Sequence, residues 1–198
     1  MKPDSKSKYS PKLQEWYIPL WKDKITLGAA YDQLISFGND QNEVPLMVQI
    51  VENPKFNLKG LGFFKGRVTL QRHDFIHIIL GRGTKMIDEA FTIGFTMGST
   101  NRVSTTQTSI FSWVSGTLYP KAYRFSKRNM QVFRDAVSLA YVSDCKPLDK
   151  VNFKSMRDLT IREARKKIGL ETDLLQAYYH IEAKRYPNSS ASQRLIKK

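Results

Sequence analysis

The chain has one cysteine, three histidines and no long apolar run, and each scarcity closes off a class of protein. A single thiol, Cys145, excludes an internal disulfide and a cysteine-ligated zinc site. It fits a reducing compartment, cytoplasm or matrix. Its setting, "VSDCKPL", reads as a helix-end loop, so Cys145 is expected to be an inert packing residue rather than a nucleophile. The apolar stretches, such as residues 76–80 with His77 inside, fall far short of the roughly 20 residues that span a bilayer. The N-terminal "MKPDSKSKYSPK" carries no apolar signal-peptide core. A soluble or peripheral membrane protein is expected. "GRVTLQ" and "GRGT" lack the G-x-x-x-x-G-K-[ST] spacing of a phosphate-binding loop.

Acid is scarce relative to base. Eighteen Asp+Glu against 32 Lys+Arg leave a net charge of +14 and a pI near 9.9. Such a surplus favours anionic partners: nucleic acid, phosphorylated ligands or an anionic lipid surface. The charge concentrates in residues 121–134, residues 162–167 and the tail, without forming a named nucleic-acid motif. A solvated basic surface explains it equally well.

What is present is enough apolar material for one domain: 198 residues, 41% hydrophobic and 12% aromatic. No internal repeat and no sustained alternating pattern occurs, and the helical period dominates. An all-α, single-domain helical bundle is expected, with an arm over residues 1–22, a helical domain over 23–186 and a disordered basic tail over 187–198. Trp16, Tyr17 and Trp21 anchor the arm between prolines. A helix is predicted over 23–37, with Gly38 closing it. "EVPLMVQIVENP" fits a strand or a buried helix. Thr69 is a plausible N-cap for a helix ending at Leu80 and Gly81, and a second helix follows Thr84 to about Met97. "STTQTS" leads into an apolar helix carrying Ile110, Phe111, Trp113, Val114 and Leu118. Ser126 caps a segment whose stripe is Met130, Phe133, Ala136, Val137, Ala140 and Tyr141. Thr160 and Glu163 form a capping box, with Gly169 as the stop. Thr172 opens a last helix to about Arg185.

Two histidines fall in one short stretch, "RHDFIHIILGRGTKMIDEA" (residues 72–90). At about 100° per residue, His73 and His77 lie about 40° apart on a helix, and Asp74 lies about 60° from His77. The rest of the circumference is mostly apolar (Leu70, Phe75, Ile76, Ile78, Ile79, Leu80), the mark of a buried helix. On one straight helix Glu89 would stand about 18 Å from His77. The two glycines of "GRGT" allow a reversal, which brings Glu89 opposite His77 on the apolar face of the second helix. A divalent cation would satisfy these buried groups together. Ion pairing is the alternative: Asp74 with Arg72 or Arg82, and Glu89 with Lys85.

Known metal motifs fit poorly. A zincin needs glutamate where Asp74 stands. A phosphohydrolase of the histidine-aspartate superfamily needs a histidine upstream of His73, and a di-iron bundle needs paired E-x-x-H motifs. The remaining His180 is expected to be exposed.

The spacing H-D-x-x-H, eleven residues, then E (His73, Asp74, His77, Glu89) resembles the signature of the coenzyme Q biosynthesis protein four family. Gly81 and Thr84 resemble that family's intervening turn, and "IREARKKIGL" (161–170) resembles its closing helix. The N-terminal third, "FTIGFTMGSTNRVST" and the chain beyond Leu170 match poorly. The resemblance implies an all-α, lipid-handling protein in which His73, Asp74, His77 and Glu89 ligate a divalent ion, zinc foremost, with magnesium, manganese or iron as alternatives. It implies a metal-dependent oxidative decarboxylase of a prenylated aromatic acid, peripheral to a membrane on the cytoplasmic or mitochondrial matrix side. A homodimer or a biosynthetic complex would be its assembly. Trp16, Trp21, Phe63 and Phe64 are candidate membrane contacts, with core packing as the simpler role. A non-catalytic prenyl-lipid scaffold with a structural metal, and a basic nucleic-acid-binding module, are the competing functions.

Overall fold

The structure is a computed structural model that describes residues 13, 15–37, 69–100 and 125–197. The segment "EVPLMVQIVENP", Phe63, Phe64, Gly38 as a helix stop and the helix of Ile110 to Leu118 lie outside the described residues, as does most of the N-terminal arm. The described residues are helical with no strand, as the pattern predicts: α1 (Leu27–Phe37), α2 (Leu70–Leu80), α3 (Met86–Gly98), α4 (Lys127–Val142), α5 (Ile161–Lys167), α6 (Thr172–Arg185) and α7 (Ser190–Gln193). Short 3-10 turns at Leu148–Lys150 and Phe153–Met156 connect α4 to α5.

Local signals set most boundaries. Thr69, Ser126 and Thr160 each accept a backbone N–H with the side chain, from Arg72, Asn129 and Glu163, which satisfies one of the free donors at a helix start. The Glu163 carboxylate accepts the Thr160 N–H at 2.8 Å and completes the capping box. The first helix starts at Leu27 rather than near Asp23. Residues just before it are drawn to α5 instead, through the Thr26–Thr160 bridge and a 2.9 Å bond from Ile161 N–H to the Ile25 carbonyl.

Among the described residues the larger of two apolar clusters draws on every helix, including Leu27, Phe75, Ile79, Phe91, Ala136, Ala164, Tyr179 and Ala191, and a smaller one joins Ala90, Ile93 and Met97 to Met130 and Phe133. Burying each large side chain contributes about 1.5–3 kcal/mol. At the centre lies α3, buried along nearly its whole length, with α4 packed closely on it. A Cβ on Gly94 would overlap the Phe133 carbonyl oxygen and meet the Ala136 Cβ at 3.0 Å. Gly94 with Ala136, and Gly98 with Ala140, therefore let two backbones approach more closely than larger side chains allow.

Two expectations are corrected. Tyr141 leaves the α4 stripe: it is 60% exposed, because the core contacts of α4 end at Ala140. The tail is not disordered over residues 187–197. Ser189 caps α7, Ala191 and Leu195 enter the core, and Ser192 and Arg194 bond to buried acids on α6 and α3. Its polar composition serves those acids rather than solvent.

Candidate metal centre

The helical hairpin expected from "GRGT" is present. Helix α2 ends at Gly81, whose φ of 66° is left-handed and whose N–H bonds back to the carbonyls of α2. The new helix starts one residue later than Thr84 suggests. Lys85 is the cap residue, and its N–H donates to the Asp88 carboxylate at 3.3 Å, while the Thr84 hydroxyl donates to the Leu13 carbonyl at 2.6 Å.

A buried helix end leaves carbonyls without partners, and two side chains meet this need. Arg165 is buried and donates through Nε to Ile79 O at 2.8 Å and through Nη1 to Leu20 O at 2.8 Å. The Tyr179 hydroxyl donates to Leu80 O at 2.5 Å. Burial pulls the Arg165 guanidinium down only to about 10, so it stays cationic at neutral pH and complements the dipole at the α2 C-terminus. The last turn of α2, which carries His77, is held from outside its own helix.

The turn is fixed by a second charged group. Arg82 is fully buried, with bidentate contacts to Glu182 at 3.1 and 2.5 Å and Asp88 at 3.6 Å. Its guanidinium lies over the rings of Phe91 (3.9 Å) and Tyr179 (4.3 Å). Ser192 donates to Glu182 at 2.9 Å, and Arg194 donates to Asp88 at 2.7 Å. Charged residues are almost never this buried unless paired.

On this frame His73, His77 and Glu89 converge; the two histidines are 2% exposed and Glu89 is 7% exposed. The two Nε2 atoms are 2.9 Å apart. Nε2 of His73 is 3.0 Å from Glu89 Oε2, and Nε2 of His77 is 3.3 Å from Glu89 Oε1. With Glu89 ionised, protons alone cannot satisfy all three contacts. Each Nε2 carries one proton at most; if both carry one, two donors face each other, and if either is bare, a lone pair faces a lone pair or the carboxylate. A shared cation satisfies all three at once. Donors about 2.0–2.1 Å from one ion stand roughly 2.8–3.4 Å apart between octahedral and tetrahedral geometry, the spacing found here. The three residues form a buried group that could hold a metal ion. Burial works to raise the Glu89 carboxyl, and the pull of the His77 and His73 imidazoles outweighs it, holding Glu89 well below the usual carboxylate range.

Asp74, expected as a fourth ligand, is not in this cluster. Adjacent residues on a helix do not share a face, and the angle that separates Asp74 from His73 is too wide for its short side chain. It is half-buried instead. Burial, with a smaller repulsion from Glu89 and against the attraction of His73, pushes its carboxyl up to about 7. Among the described residues the expected ion-pair partners are engaged elsewhere: Arg82 by Glu182 and Asp88, Arg72 by the Asp149 carbonyl, and Lys85 by Glu15 at 2.7 Å. His180 is exposed, as expected. Cys145 is buried, and burial with Glu171 nearby pushes its thiol up to about 12, which suits an inert packing residue.

Arg82, Arg165, Glu182 and Thr92, whose hydroxyl lies 3.3 Å from His77 Nδ1, shape the site with little signal in the local sequence that says so. Only one weak signal was present, an arginine within the glycine turn. Comparison with family models, with curated proteins and with solved structures found no match to this chain.

Proposed function

We propose that the chain is a metal-dependent enzyme of prenyl-lipid biosynthesis, acting on a carboxylated prenyl phenol at a membrane surface. The observation that carries the reading is the convergence of two imidazoles and one carboxylate, 2.9–3.3 Å apart in a buried hairpin. Three protein ligands leave coordination positions open, the feature that separates catalytic from structural zinc sites, whereas a purely structural ion is usually enclosed by four. When bound, the ion would supply Lewis-acid polarisation of a substrate carboxylate or phenolate. His73, His77 and Glu89 would hold it, while the Arg165 and Arg82 contacts keep the hairpin from opening. The resemblance of the His73, Asp74, His77 and Glu89 spacing to the coenzyme Q biosynthesis protein four family supports the substrate class, and the net charge of +14 supports an anionic lipid surface as partner. No described helix is long and apolar enough to cross a membrane, which agrees with peripheral attachment.

The experiment is turnover of a prenylated hydroxybenzoic acid by the metal-loaded chain with oxygen present, in anionic vesicles, compared with His77→Ala and Glu89→Ala. The reading predicts loss of the ring carboxylate with wild type only. A metal-loaded wild type that binds the prenyl lipid and never converts it would establish a scaffold. Strongly salt-dependent nucleic-acid binding, unchanged in both variants, would favour a nucleic-acid module.

A further inference from the structure

We infer that Thr92 is the positioning residue that selects which nitrogen of His77 faces the metal. The inference rests on the metal reading of the site and adds a residue that the histidine–glutamate spacing does not contain. His77 is held at both ring nitrogens: Nε2 faces Glu89 Oε1 at 3.3 Å and His73 Nε2 at 2.9 Å, and Nδ1 lies 3.3 Å from the Thr92 hydroxyl. Both partners from α3, Glu89 and Thr92, are three residues apart, so they share one helix face. That helix grips the imidazole on two sides.

A neutral imidazole has one proton to place. With Nε2 in the ligand cluster, its lone pair must be free, so the proton stands on Nδ1 and needs an acceptor. The Thr92 hydroxyl oxygen is that acceptor. Thr92 is fully buried, so water offers no ready substitute. One turn on, Thr96 donates through its hydroxyl to the Thr92 carbonyl at 2.7 Å, a further tie at this point of the helix. A hydrogen bond at the outer nitrogen of a ligating histidine fixes its tautomer and ring orientation and raises its basicity.

The test is zinc affinity by competition with a chromophoric chelator for wild type, Thr92→Val, Thr92→Ser and His77→Ala. Nitrogen-15 spectra of the imidazoles in the zinc-loaded wild type accompany it. Thr92→Val keeps the shape without the acceptor and is expected to weaken zinc binding roughly 10–100-fold while helical content is retained. Thr92→Ser, which restores a hydroxyl, is expected to recover most of that loss. The spectra should show zinc on His77 Nε2 and a proton on Nδ1. Zinc binding by Thr92→Val within about twofold of wild type, or a spectrum with zinc on Nδ1 of His77, overturns the role of Thr92 and leaves the metal centre standing. A wild type that binds none of zinc, manganese, iron and magnesium, or a His77→Ala chain that binds the ion as tightly, overturns the metal reading itself. If Thr92→Val fails to fold, the wild-type spectrum decides.

Discussion

Replacing Glu182 with leucine strands a buried cation. Arg82 is fully buried and takes its two best contacts, at 3.1 and 2.5 Å, from Glu182. The next acid, Asp88, is 3.6 Å away and already engaged by Arg194 at 2.7 Å. Neutralising Arg82 is no escape. Burial lowers its pKa, yet Glu182, Tyr179 and Asp88 together raise it above the ordinary arginine value. Removing one member of a buried pair costs about 3–5 kcal/mol. Asp88 and the flanking rings of Phe91 and Tyr179 remain, so the low end, about 3 kcal/mol, is expected. For a chain of this size that corresponds to about 6–12 °C in Tm. The assay is thermal and denaturant unfolding followed by circular dichroism, with Arg82→Met/Glu182→Leu as the companion. Removing both charges should recover most of the loss, because an apolar replacement of a buried pair is often neutral. A single substitution costing less than about 1 kcal/mol, or a double variant no more stable than the single, refutes the reasoning.

Three further perturbations have defined outcomes. Gly94→Ala forces a Cβ onto the Phe133 carbonyl and should cost about 1–3 kcal/mol by spreading α3 from α4, read as a lowered denaturation midpoint. Truncation after Tyr186 removes the Ser192 and Arg194 donors to Glu182 and Asp88 and the burial of Leu195, and should destabilise by about 3 kcal/mol or more; a truncated chain with unchanged midpoint would show that the tail merely rests on the surface. The Cys145 thiol is raised from 9.0 to about 12, so its contribution to stability is complete below pH 9.0 and is lost as pH rises through about 12. At neutral pH its thiolate population is lower than in the unfolded chain, and alkylation should be slow in buffer and fast in denaturant. Equal rates would contradict the buried placement.

Local chemistry explains what the sequence revealed and what it hid. The caps at Thr69, Ser126 and Thr160 and the left-handed glycines Gly81 and Gly169 act over three or four residues, so they could be read directly. The approach of Glu89 to His77 was legible because two glycines, a buried apolar helix and a carboxylate on an apolar face agreed. Asp74 lies outside the His73–His77–Glu89 cluster because a shared arc on a helical wheel takes no account of how short an aspartate is and where its Cβ points. Arg165 reads as part of a basic surface run and Arg82 as a partner for Asp74, since their actual partners Glu182, Ile79 and Leu20 are 86 or more residues away and only the folded chain brings them together. The polar tail reads as disordered for the same reason. Its donors answer buried acids that the local sequence does not show.

The metal content of the purified chain, measured beside His77→Ala and Glu89→Ala, decides whether the three buried side chains hold an ion. One tightly held divalent ion per wild-type chain is expected, with its loss in both variants and helical content unchanged. A wild type that takes up no zinc, manganese, iron or magnesium, or variants that retain the ion as well as wild type, would contradict it.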